Sequence, residues 1–114
     1  MKILILSMLL NTTIDKHRKS FEMDFNVDTK HIKITISDVE GHARCIHSTK
    51  TVLINKEFWN KISNINKKEL IYHELGHCAL NLRHSSGIMK MKTFQTDEDD
   101  SNWNELVEEM KGKM

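Results

Sequence analysis

Five residues in the middle of the chain, His73-Glu74-Leu75-Gly76-His77, limit its possible folds more than any other feature. Two imidazoles four positions apart can grip one ion from the same side when the backbone between them is an α-helix, which stacks such residues at ~5–6 Å between Cβ atoms. The fold must then bury one side of that helix and open the other to a cleft. Glu74 is the next residue round, so its carboxylate can reach a water on the shared ion without ligating the ion itself. Neutral imidazoles suit zinc, which lowers the pKa of bound water to roughly 7. A carboxylate beside that water can take its proton as it attacks a carbonyl.

A catalytic zinc site usually has three protein ligands and one open position. His84 is the candidate third ligand. Asn81 tolerates the left-handed conformation that stops helices, and His84 arrives three residues later. A downstream carboxylate, Glu98 or Glu105, is the alternative.

Together, the run from His73 to Cys78, the turn residue Asn81, His84 and the segment Ser86-Gly87-Ile88-Met89 resemble the metzincin clan of zinc peptidases. The likeness is greatest to the minimal, matrixin-like metalloproteases of bacteria and phages. It implies an α+β, zincin-like domain with a short mixed sheet, an active-site helix, and helices at both ends. It implies one catalytic Zn²⁺ on His73, His77 and His84, with Glu74 as the catalytic base and Met89 in a tight Met-turn beneath the metal. It also implies a peptide or protein substrate laid along an edge strand, for which Ala43–His47 is the candidate. The spacing departs from the common pattern H-E-x-x-H-x-x-G-x-x-H. Counting that way reaches Leu80 and Arg83; the matching residues, Asn81 and His84, stand one position later.

The two cysteines, Cys45 and Cys78, are too few for a disulfide scaffold. Two readings stand: small buried hydrophobes, or a bridge tying the sheet to the helix. The resembling family carries a cysteine in both places. A bridge favours an oxidising compartment.

At 114 residues the chain predicts a single catalytic domain over 1–114. A net charge of +1 favours neither nucleic acid nor an anionic membrane as partner. The apolar run Ile3–Leu10 is far short of the ~18–20 residues that span a bilayer. No small-x-small cleavage site follows, so residues 1–12 read as a vestigial signal or as a leading strand or helix. Localisation stays open between cytoplasmic and secreted or periplasmic, and the expected state is a monomer. The competing function is an inactive or non-peptidase zinc-binding domain on the same fold, either an interaction module or another zinc hydrolase. An RNA-processing site of that kind lacks a phosphate-tracking surface here.

Periodicity supplies the remaining elements. A helix is expected over Thr13–Phe25, with Ile14, Phe21 and Phe25 inward and His17 on the surface. Strands are expected at His31–Ser37 (Ile32, Ile34 and Ile36 inward), Ala43–His47 and Thr51–Ile54. Glu57–Ile62 reads as a short helix or loop with Phe58, Trp59 and Ile62 packing inward. The motif helix is expected over Lys67–Leu80, with Asn66 as N-cap and Glu69 completing a capping box. Tyr72 reads as a packing residue, and His31, His42 and His47 as solvated. A final amphipathic helix begins near Ser101 and uses Trp103, Leu106, Val107 and Met110.

Overall fold

Each α-helix and strand follows from a patterned stretch of sequence. In chain order they are α1 (Lys2–Phe25), β1 (Lys33–Ser37), β2 (Ala43–Ile46), β3 (Thr51–Asn55), α2 (Lys56–Lys61), α3 (Asn64–Leu80), a 3₁₀ turn (Gly87–Met89) and α4 (Trp103–Lys111). The computed structural model describes residues 2–114, with side chains from Thr12 onward. Helices and a short mixed sheet make an α+β fold. The strand order is β1-β3-β2, with β1 parallel and β2 antiparallel to β3. Val52 and Ile54 alternate inward on the central strand and are fully buried, as a β-branched residue at every second position favours. Ile32 is buried just ahead of β1, while Ile34 and Ile36 on this edge strand are half-buried. The other edge, β2, stops at Ile46, so His47, expected in this strand, falls outside it.

Helix α3 is the centre of the packing and touches α1, β2, β3 and the 3₁₀ turn. Ile71, Tyr72, Leu75 and Cys78 on it are all at 0% exposure. The Tyr72 ring meets Phe21 and Trp103 edge-on at centroid distances of 5.3 and 4.7 Å. Its hydroxyl reaches Asp24 Oδ2 at 2.5 Å and Ser20 Oγ at 2.7 Å, so this buried polar group is paired. Helix α4 packs against the 3₁₀ turn and buries Trp103, Val107 and Met110.

Three expectations need correction. Helix α3 begins at Asn64, not Lys67, because Ser63 is the cap and its hydroxyl accepts from the Asn66 amide at 3.2 Å. Asn66 therefore lies in the first turn, and Glu69 is not part of a capping box. Helix α1 does not start at Thr13; its backbone is continuous from Lys2. The side chains of the apolar run that suggested a vestigial signal lie outside the described residues. Among those that are described, no helix is long and apolar enough to cross a membrane.

The third correction is His17, which is buried at 2% exposure rather than on the surface. Its spacing from Ile14 and Phe21 places it on the inward stripe of α1. Burial, reinforced by Lys68, lowers its pKa to about 4. Between pH 6.5 and about 4 the unfolded chain binds a proton here that the folded chain refuses. Stability from this group is therefore complete above pH 6.5 and is lost as pH falls toward 4, by about 3 kcal/mol. Urea unfolding of the metal-free protein should give a smaller loss between pH 7 and pH 4.5 for His17→Leu than for wild type. Equal losses would show that His17 titrates normally.

Candidate metal centre

The face of α3 opposite Ile71 and Cys78 carries His73 and His77, one turn apart. Helix α3 then stops at Asn81, which adopts φ 56°; its N–H donates to the His77 carbonyl and the Leu82 N–H to the Gly76 carbonyl. Asparagine is among the few side chains that enter this conformation readily. The turn sends the chain back along the helix, so His84 returns to its two predecessors. The His84 ring lies 5.2 Å from that of His73 and 4.7 Å from that of His77, centroid to centroid. One nitrogen from each of the three lies within 4.8 Å of the others. Glu98 and Glu105 are exposed and stand outside this group.

Hydrogen bonding fixes the tautomers of the two helical rings. His73 Nδ1 lies 2.7 Å from the Ile88 carbonyl, and His77 Nδ1 lies 2.7 Å from the Leu82 carbonyl. A carbonyl only accepts, so each ring carries its proton on Nδ1 and presents a bare Nε2. These two Nε2 atoms face each other at 3.2 Å. Two lone pairs at that distance repel unless a cation lies between them. Burial lowers the pKa of His73 to about 4 and also lowers that of His77, which disfavours a proton as that cation. The donor set fits a metal ion.

Glu74 lies beside them at 4% exposure. Its Oε2 is 4.0 Å from His73 Nε2, and its Oε1 is buried with no hydrogen-bond partner among the described residues. Burial pushes its carboxyl up to about 7. An unpartnered buried carboxylate oxygen beside three convergent imidazoles is chemically expensive and needs a role.

The 3₁₀ turn closes the site from below. Met89 is fully buried, and its sulfur would lie 2.6 Å from a Cβ added at Gly76, the residue immediately before His77. The glycine lets the turn approach α3 this closely. Cys45 on β2 and Cys78, next to His77, form a disulfide with 5.7 Å between Cα atoms. This bridge ties the edge strand to the helix. Lys50 adds a bond from its ammonium to the Cys78 carbonyl at 3.0 Å.

A cavity of about 500 Å³ opens on His73, Glu74 and His84. Its walls include Ala43 at the start of β2, Leu70 of α3, Ile88 of the turn and the segment Lys90–Phe94. Phe58 does not simply pack inward as expected. It lines this cavity, stacked on His42 at 3.7 Å and roughly parallel to Phe94 at 6.0 Å.

Sequence reading missed the part played by Glu69. This carboxylate is 2% exposed and accepts from the amides of Gln95 and Thr96 and from the Thr96 hydroxyl, at 2.8–3.1 Å. It anchors the wall segment to α3. The available signal was its position four residues before His73, on the same helical face.

Three convergent imidazoles with a buried carboxylate alongside place the chain among metal-binding hydrolase-type domains. It belongs to the family described as "Putative phage metallopeptidase", whose model matches residues 9–111. No curated protein matches the chain. Family and site together make this a metallopeptidase-like domain, with peptide or protein as its substrate class.

Proposed function

We propose that the chain is a zinc endopeptidase of metzincin type, acting as one catalytic domain with His73, His77 and His84 as ligands and Glu74 as catalytic base. The observation that carries this reading is the pair of bare Nε2 atoms facing each other at 3.2 Å. Two imidazoles on one tetrahedral zinc, each ~2.0–2.1 Å from the ion, hold their nitrogens roughly 3.3 Å apart. The backbone carbonyls of Ile88 and Leu82 hold the rings in the ligating tautomer. Met89, in its tight turn against Gly76, is the counterpart of the Met-turn.

Held by His73, His77 and His84, a zinc ion would supply Lewis acidity toward a water and the scissile carbonyl. Glu74 takes the proton from the attacking water and passes it to the departing amine. Its raised pKa, about 7, suits a group that must both accept and return a proton near neutrality. Strand β2 would hold the substrate as an added strand, a reading supported by its place at the sheet edge and its disulfide to α3.

Metal analysis of the purified protein tests the ligand set. Wild type is expected to carry one zinc per chain, and His84→Ala to bind it at least ten-fold more weakly. A chelator should abolish peptide-library cleavage and added zinc should restore it. A wild-type protein that binds no zinc, or cleaves equally after chelation, would overturn the reading.

A further inference from the structure

The three histidines are not held equally. His73 and His77 are each anchored twice, by the helix and by a carbonyl on Nδ1. His84 is exposed, and its ring has no hydrogen-bond partner among the described residues. Metal-binding histidines usually depend on such a partner for orientation. The position of His84 must come instead from the loop that carries it.

That loop is tied down on both sides of His84. Upstream, the Leu82 amide donates to the Gly76 carbonyl at 2.9 Å, and the Leu82 carbonyl accepts from His77. Downstream, the Ser85 amide donates to the Met89 carbonyl at 2.9 Å, which holds the backbone, and the side-chain tie comes from just beyond α4. The Lys113 ammonium donates to Ser85 Oγ at 2.9 Å, to the Ser86 carbonyl at 2.5 Å and to Ser86 Oγ at 3.2 Å, and it lies 3.6 Å from Glu109 Oε1. All three of its donors are thereby directed at two adjacent residues and the neighbouring carboxylate. Glu109 also accepts from Ser86 Oγ at 3.4 Å. Gly87 has φ +63°, and a Cβ there would fall 1.7 Å from Glu109 Oε1, so α4 lies directly against the loop backbone. Arg83 and His84 are the span between the two ties.

We infer that Lys113 is a positioning residue for the third metal ligand: its bonds to Ser85 and Ser86 hold the loop so that His84 faces His73 and His77. The inference rests on the assignment of His84 as a ligand. All of the hydrogen bonds of Lys113 to this loop go to two adjacent residues, although it stands 29 residues beyond the histidine it serves.

Equilibrium zinc affinity, measured by competition with a chromophoric chelator, separates this role from a general structural one. Lys113→Met, which keeps the aliphatic stem and removes the cation, should weaken zinc binding about ten-fold. Lys113→Arg should restore most of that loss. In a His84→Ala background, Lys113→Met should change the affinity no further, because the group it positions is already gone. Unchanged affinity in Lys113→Met, or the same loss with and without His84, overturns the inference while leaving the zinc site intact. If His84→Ala binds zinc as wild type does, the ligand assignment itself fails and the positioning role falls with it.

Discussion

Glu74→Gln protein is expected to keep its zinc and to lose peptide hydrolysis by about 10²–10⁴-fold, the usual contribution of a positioned acid–base group. The substitution preserves the shape of a side chain that is 4% exposed, so the cavity around it should not collapse. It removes only the capacity to accept and return a proton. Among the described residues Glu74 Oε1 has no partner, so no structural hydrogen bond to them at that oxygen is lost with the charge. Metal content and cleavage of a peptide library, measured on the same preparation, give the two readouts. Wild-type turnover in Glu74→Gln would place the base elsewhere; loss of zinc together with activity would show that the carboxylate supports the ligands rather than the chemistry.

Breaking the Cys45–Cys78 bridge should have the largest effect on stability. It closes a loop of 33 residues, and removing such a constraint from the unfolded chain costs about 3–4 kcal/mol in the chain-entropy treatment. For a domain of this size that corresponds to a fall in Tm of roughly 10–20 °C. Reduced wild type and Cys45→Ala/Cys78→Ala should melt at similar temperatures, both well below the oxidised protein. Oxidised, denatured protein should titrate no free thiol. Two free thiols, or a Tm indifferent to reductant, would show that the cysteines are separate buried side chains. The bridge spans the edge strand and the residue next to His77, so its loss should also loosen the groove where a substrate strand would lie.

The motif helix was legible because its chemistry and its packing share one period. Ile71, Leu75 and Cys78 mark the buried side, His73 and His77 the open side, and the 3.6-residue repeat separates them. Alternation made the strands legible for the same reason. Residues whose role depends on distant partners were less readable. His17 occupies a core position on α1, yet its polar type suggested solvent. Ser63 and Asn66 are both good helix caps, and local sequence alone did not decide between them. Glu69 fits a capping box by spacing but bonds to Gln95 and Thr96, 26 and 27 residues away. The clamp of Lys113 on Ser85 and Ser86 has no local signature, because it exists only once α4 packs on the 3₁₀ turn. The position of His84 could be suggested from Asn81, but the distances between its ring and the other two follow from the folded loop.

Gly76 brings the thioether of Met89 and the methyl end of Met110 against the backbone between the two helical histidines. Sulfur is the most oxidisable component of an aliphatic interior, and a sulfoxide oxygen would put a polar atom where the helix leaves no room for one. Both methionines are almost wholly enclosed, at 0% and 1% exposure. The intact fold therefore shields from oxidants the contact whose modification would lift the imidazoles from below, and that protection lasts only while the turn stays seated.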